Sequence, residues 1–159
     1  MIEIFSLKTS GNTIRYNTFV SSQGAVTLRA GCDSKVHGNF FIGRGSPGTA
    51  GVRIIGAGHR VYNNYFEGLR RPDNPEVRGS ISWTALQLAQ GIEYENNDSC
   101  VHSTYQRVQD VIVAFNTFVD VESPFEINWQ GTSLRTERDS CPDGVFPLTI
   151  FSPEAHIAN

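Results

Sequence analysis

The stretch HRVYNNYF, residues 59–66, contains the pattern that decides the fold. Its reference residue is Asn64, which has the aliphatic residue Val61 three positions before it and Phe66 two positions after it. The same arrangement occurs three more times along the chain, in NTIRYNTF (12–19), SKVHGNFF (34–41) and VIVAFNTF (111–118). A motif that recurs with the same aliphatic, asparagine and phenylalanine positions indicates an internal repeat.

The reference asparagines give this repeat its period. They are separated by 22, 25 and 52 residues, and the last interval equals two periods of 26: Asn17, Asn39, Asn64 and Asn116. A period of this length, built from short β-rich pieces and Gly or Asn turns, predicts a solenoid. The Leu-x-x-Leu-x-Leu skeleton of leucine-rich repeats is absent, and the repeats lack the apolar stripe of a helix. We therefore predict an all-β fold, a right-handed parallel β-helix whose coils each supply two or three short strands.

The recurring asparagine has a structural interpretation. Asparagine tolerates left-handed backbone at a tight corner, and its side-chain amide can bond the equivalent amide one coil away. We expect a single β-helix domain over residues 1–159, with irregular loops at about 70–80 and 96–106 and an irregular tail at about 128–159.

The composition is that of a soluble globular protein. Of the 159 residues, 39% are hydrophobic and 18% are charged, and the formal net charge is -3. An acidic balance without runs of Lys and Arg argues against a general nucleic-acid binder, and no apolar run approaches membrane-spanning length. The three cysteines are too few and too scattered for a disulfide framework, so we expect small, partly buried thiols. The chain shows no signal peptide.

Three basic residues recur with nearly the same period as the asparagines. Lys8, Arg29 and Arg53 precede their reference asparagines by nine, ten and eleven residues, and each follows an aliphatic residue. Allowing for one-residue differences in loop length, they are predicted to form one column on one strand face of successive coils. Stacked cations repel, which makes an extended anionic polymer a suitable ligand, and acidic polysaccharide fits better than nucleic acid. The alternative is that the three side chains project separately into solvent.

The residues around this column resemble a known family. EIFSLKTSGNTIRYNTF, QGAVTLRAG, GNFFIG, GVRIIG and VYNNYFEGL are similar to polysaccharide lyase family 6, which includes alginate lyases and chondroitinase B. The similarity covers roughly residues 3–68 and, more loosely, 111–119, and the alginate lyase branch is the more similar. The resemblance implies a secreted or periplasmic enzyme, and the chain is truncated at its N-terminus relative to the family pattern.

The resemblance also implies a chemistry. These enzymes break a 1,4-glycosidic bond next to a uronic acid by β-elimination and leave a 4,5-unsaturated sugar, with Ca²⁺ neutralising the carboxylate beside the acidic C5 proton. Lys8 matches the general base, Arg29 the residue at the leaving O4, and Arg53 a substrate-binding arginine. Glu3 matches a calcium ligand and is the only one of the usual ligands present, since Met1 stands where a second acid is expected. His59 is a candidate substrate contact, with a turn-stabilising role as the alternative.

Three hypotheses follow from these observations. The first is an alginate lyase, complete or partial, that acts on an anionic polysaccharide and has neither nucleic acid nor a membrane as a partner. The second is a non-catalytic, anionic-polysaccharide-binding β-helix, and the third is a structural solenoid without a ligand. For each of them, coil ends without a cap predict self-association into a homo-oligomer.

Overall fold

A computed structural model describes residues 3–74, 83–89 and 108–127, together with the backbone of 156–158. Short strands alternate with tight turns through all of these segments. The strands are β1 (Glu3–Leu7), β2 (Thr13–Arg15), β3 (Thr18–Val20), β4 (Gly24–Leu28), β5 (Lys35–His37), β6 (Phe40–Ile42), β7 (Thr49–Ile54), β8 (Arg60–Tyr62), β9 (Tyr65–Glu67), β10 (Leu86–Leu88), β11 (Ile112–Ala114), β12 (Thr117–Val119), β13 (Phe125–Ile127) and β14 (His156–Ala158).

The strands form three parallel sheets, and each coil contributes one strand to each sheet in turn. Sheet A has the order β1-β4-β7-β10-β13, sheet B the order β14-β11-β8-β5-β2, and sheet C the order β12-β9-β6-β3. Every pairing between neighbouring strands is parallel. The prediction of an all-β parallel β-helix from the asparagine period is therefore confirmed.

The reference asparagines form a ladder at the turn between sheets B and C. The Asn17 amide donates to Asn39 Oδ1 (3.1 Å), Asn39 to Asn64 Oδ1 (3.0 Å), and Asn64 to Asn116 Oδ1 (3.0 Å). The predicted bond between equivalent amides one coil apart is thus confirmed. The predicted left-handed backbone is displaced by one position, because positive φ occurs at the residue before each asparagine: Tyr16, Gly38, Asn63 and Phe115.

The aliphatic and aromatic positions of the repeat build the core. Phe41 lies between Phe19 and Phe66, with ring centroids 4.7 and 4.8 Å away, and Phe66 stacks on Phe118 at 5.3 Å. A second column pairs the aliphatic residues in register: Ile14, Val36, Val61 and Val113. Because equivalent residues meet at the spacing of paired strands, one motif fills the interior of successive coils.

The structure also bears on the parts of the chain outside the repeat. Strand β10 (Leu86–Leu88) continues sheet A beyond β7, while the expected loop at 96–106 lies outside the described residues. In the expected irregular tail, β14 extends sheet B. Within the described segments, no helix is long and apolar enough to cross a membrane.

The expectation of free thiols is wrong for Cys32. This residue is buried and disulfide-bonded, and its partner, one of the other two cysteines of the chain, lies outside the described residues. Sequence spacing does not show which cysteines meet, because a solenoid brings residues from different coils together.

Candidate active site

Lys8 and Arg29 occupy equivalent positions on sheet A, directly after the C-terminal ends of β1 and β4. Leu7 pairs with Leu28 in register, so the residue that directly follows each strand lies beside its counterpart on the next coil. Backbone bonds from the N–H groups of Arg29 and Ala30 to the Leu7 carbonyl (2.9 and 3.1 Å) hold the two segments together. Lys8 is exposed and Arg29 half-buried. The structure therefore brings together two of the three predicted cations.

Arg53 lies on the same sheet, but its position along the strand differs from the predicted one. It pairs in register with Thr27, whereas the position equivalent to Arg29 belongs to Ile55. The strand period of two keeps Arg29 and Arg53 on one face but separates their positions along the strand by roughly 7 Å. The prediction of one straight column is thus wrong for Arg53, because β4 pairs with β7 at an interval of 26 residues, whereas Arg29 and Arg53 are only 24 residues apart.

Glu3 forms an ion pair across the first two coils. Its Oε1 lies 3.6 Å from the Arg29 guanidinium, and both side chains are largely shielded from solvent. This contact links the predicted calcium ligand to the predicted O4-binding residue. No group of three or more His, Cys, Asp or Glu side chains that could hold a metal ion occurs in segments 3–74, 83–89 and 108–127. Because Ca²⁺ prefers six to eight oxygen ligands, these segments by themselves do not fit it.

His59 is buried in the turn that precedes β8. Its Nδ1 accepts a hydrogen bond from the Ser34 N–H (3.1 Å), so the proton lies on Nε2, which donates to the Ile55 carbonyl (2.9 Å). Desolvation by burial lowers the pKa of this imidazole below its ordinary value of 6.5, although the backbone partners and Asp33 oppose the shift. Both nitrogens are engaged and the side chain is 0% exposed, which favours the turn-stabilising interpretation over substrate contact.

Two further polar residues flank Arg53 and were not anticipated from the sequence. Thr27 precedes it by one coil and Gln87 follows it, and the row continues from Ser6 on β1 to Glu126 on β13. Both Thr27 and Gln87 are buried, and neither the Thr27 hydroxyl nor the Gln87 amide has a hydrogen-bond partner in the structure as described. The alternation Leu86-Gln-Leu88 was the available signal, since it marks Gln87 as outward-facing between two core leucines.

Solved structures with the same fold include three lyases. A mannuronic acid specific polysaccharide lyase of family 6 from human gut microbiota is 30% identical, with a TM-score of 0.55. The family 6 alginate lyase AlyGC is 31% identical, with a TM-score of 0.61, and a family 6 alginate lyase in complex with a trisaccharide is 23% identical, with a TM-score of 0.65.

The matches cover about three quarters of this chain but only a part of each solved enzyme. The match with the gut enzyme covers 76% of this chain and 27% of that enzyme. The match with AlyGC covers 77% of this chain and 15% of AlyGC, and the match with the trisaccharide complex covers 77% and 26%. No curated protein sequence matches the chain significantly. The family model for chondroitinase B matches residues 1–143, which is most of the sequence. The chain therefore belongs to the chondroitinase B family, polysaccharide lyase family 6.

Proposed function

We propose that this chain carries the elimination site of an alginate lyase, which cleaves a 1,4-linked uronate polysaccharide and releases 4,5-unsaturated oligosaccharides. The observation that supports this proposal most directly is the register of sheet A. It sets a lysine and an arginine side by side at the end of β1 and β4, in a chain of a lyase family. Alginate is proposed as the substrate because the solved relatives at 30% and 31% identity are a mannuronic acid specific lyase and an alginate lyase.

The proposed reaction needs a base and a group that stabilises the leaving oxygen. The neutral amine of Lys8 takes the proton from C5 of the uronate, the electron pair forms the C4–C5 double bond, and the bond from C4 to O4 breaks. Arg29 donates hydrogen bonds to the departing O4, which takes a proton from water, and the proton held by Lys8 returns to the solvent. Arg53, on the same face of sheet A, binds the carboxylate of a neighbouring sugar through paired N–H donors.

Calcium enters the proposal as a prediction. When bound, Ca²⁺ would neutralise the uronate carboxylate and so make the C5 proton more acidic. Glu3 is the proposed ligand from the described segments, and because one carboxylate does not hold Ca²⁺, the other oxygen ligands would have to come from elsewhere, including the uronate itself. In that role the Glu3 carboxylate would exchange the Arg29 contact for the cation. The prediction is that a chelator lowers the rate of cleavage and that added Ca²⁺ restores it. An unchanged rate in chelator would mean that the basic residues suffice.

The decisive experiment is an absorbance assay on alginate, because the new double bond absorbs in the ultraviolet. We expect the absorbance to rise with the natural chain and the rate to fall by about a hundredfold or more in both Lys8→Ala and Lys8→Arg, since loss of a general base costs about 10²–10⁴-fold. Lys8→Arg keeps the positive charge and controls for binding. No rise with the natural chain, with and without Ca²⁺, would exclude the lyase.

A second candidate function is non-catalytic binding of an anionic polysaccharide. The Glu3–Arg29 ion pair favours this second function, because the Glu3 carboxylate, the one described group that matches a calcium ligand, already contacts a guanidinium. A binder would be retained on immobilised alginate without producing unsaturated ends, and Lys8→Ala would bind as well as the natural chain. Retention that falls with added salt would in turn exclude the ligand-free structural solenoid.

Two further proposals concern the environment and assembly of the chain. Disulfides persist in oxidising compartments, so the bonded Cys32 supports a secreted or periplasmic location. Among the described residues, β1, β2 and β3 are edge strands of their sheets, and unpaired edges favour association with another copy of the chain.

A further inference from the structure

A group of cations lies on the outer face of sheet B, away from Lys8 and Arg29 on sheet A. Because Ile14, Val36 and Val61 fill the core side of β2, β5 and β8, the residues on either side of them point outward. The outward residues include three exposed cations: Arg15, Lys35 and Arg60. We refer to this surface, with the adjoining rings of Tyr16, His37 and Tyr62, as the sheet B patch.

The cations of the sheet B patch lie close together and form no ion pair with any residue that the structure describes. Lys35 and Arg60 are direct partners in the register of β5 and β8, and Arg15 is the partner of His37 one row along. Like charges directly opposite each other on paired strands are destabilising. The two ion pairs found in the described segments, Glu3–Arg29 and Arg70–Asp120, both lie elsewhere. A net charge of -3 also means that this patch does not reflect a generally basic protein.

The aromatic part of the patch is ordered by stacking. The rings of His37 and Tyr62 are parallel, 4° apart in plane, with centroids separated by 4.7 Å. Tyr16 meets His37 edge to face at 5.6 Å, and Tyr16 as a residue is 74% exposed. The Arg15 guanidinium lies 5.6 Å from the centre of the Tyr16 ring. This leaves a semi-rigid polar and aromatic surface between the cations.

The chemistry of the patch selects among anionic polymers. Single-stranded nucleic acid binds by stacking bases on open aromatic faces, but the face of His37 toward Tyr62 is already covered. The Tyr62 hydroxyl and the His37 ring nitrogens can donate to and accept from sugar hydroxyls. Charge-assisted bonds from Lys35 and Arg60 are suited to carboxylates on neighbouring sugars.

We propose that the sheet B patch is a second, non-catalytic binding surface for an acidic polysaccharide, one that holds the polymer while another part of it occupies sheet A. The class of ligand rests on the proposed lyase function, but the surface itself rests on the register and exposure of sheet B. Attachment at two places raises the effective concentration of polymer at the elimination site without any new contact there.

The test compares two doubly substituted chains that carry the same change in net charge. Lys35→Gln/Arg60→Gln removes two positive charges from the patch, and Thr18→Glu/Thr117→Glu adds two negative charges at exposed positions of sheet C. Both are made with Lys8→Ala, so that the polymer stays intact, and affinity is measured by electrophoresis in gels containing alginate. We expect the patch variant to bind about five times more weakly than the control.

Each outcome decides the proposal. Equal mobility of the two variants in gels with alginate overturns the proposal. Tighter binding to single-stranded DNA than to alginate through Lys35 and Arg60 also overturns it. With Lys8 present, the patch variant should retain its rate on a short uronate oligomer and lose rate on the polymer, and an equal loss on both also overturns it. If the patch variant binds alginate more weakly than the control but the chain with Lys8 forms no unsaturated products, the lyase function is refuted and the proposal for the patch stands.

Discussion

At the scale of single residues, burial of His59 couples the stability of the β-helix to pH. The folded chain holds this imidazole neutral between the Ser34 N–H and the Ile55 carbonyl, and burial lowers its pKa. The unfolded chain binds the proton more readily, so stability from this group is fully present above pH 6.5 and is lost as pH falls toward the lower folded value. We predict a decline in the free energy of unfolding below about pH 6.5.

The variant His59→Asn separates this effect from general acid sensitivity. Its side chain has no group that titrates, so the part of the pH dependence due to His59 should disappear, at a cost of about 2 kcal/mol at neutral pH for the lost buried bonds. Urea denaturation at a series of pH values measures both. An identical slope in the natural and variant chains would assign the pH dependence to other groups.

Gln87 is a buried residue of sheet A whose side-chain amide makes no hydrogen bond in the part of the chain that the structure describes. A buried amide without partners costs free energy, and an apolar side chain of similar size removes that cost. We predict that Gln87→Leu raises stability by about 1 kcal/mol, while Gln23→Leu, at an exposed position, leaves it nearly unchanged. Because Gln87 neighbours Arg53 in register, the same change should slow formation of unsaturated ends. A stabilised variant with full activity would limit Gln87 to a packing role.

At the scale of structural elements, the asparagine ladder stabilises the turn between sheets B and C through hydrogen bonds between successive coils. Asn39 is buried within it: its amide donates to Asn64 and to the Ile14 and His37 carbonyls, and its Oδ1 accepts from Asn17. Asn17 stands at the exposed end of the ladder. The two positions have the same motif but unequal burial, so their loss should have unequal cost.

We predict that Asn39→Ala destabilises the chain by about 3 kcal/mol, because several buried groups lose their partners together. Asn17→Ala should cost about 1 kcal/mol, since water replaces the bonds of an exposed amide. Chemical denaturation followed by circular dichroism gives both values. Equal costs at the two positions would show that the turn backbone, rather than the buried amide, holds the coils together.

At the scale of the whole molecule, an apolar side chain is exposed on β1, an edge strand of sheet A among the described residues. Phe5 pairs in register with Val26, which is 0% exposed, yet Phe5 itself is 47% exposed. We predict that the 159-residue chain self-associates and that Phe5→Lys weakens this association, whereas Phe40→Lys on sheet C does not. Light scattering over a concentration series measures it. A single monomeric species at all concentrations would contradict the prediction.

Much of the architecture could be predicted from the sequence, because a solenoid repeats its packing environment. Each coil presents an aliphatic residue, an asparagine and a phenylalanine to the equivalent positions of the next, so the period in the chain becomes the contact in space. The asparagine ladder, the phenylalanine stack and the neighbouring positions of Lys8 and Arg29 all follow from that period.

Other features required the tertiary structure, since they depend on register and burial rather than on period. The pairing register of β4 and β7 sets Arg53 beside Thr27 instead of Arg29, and no sequence interval distinguishes a longer turn from a bulged strand. The burial of His59, the Glu3–Arg29 ion pair and the disulfide of Cys32 join positions whose approach depends on the path of each turn. The sequence by itself determined a parallel β-helix with a basic pair on one face, because repetition specifies stacking. Only the tertiary structure decided which side chains reach that face and which are buried behind it, because exposure depends on how the coils are offset.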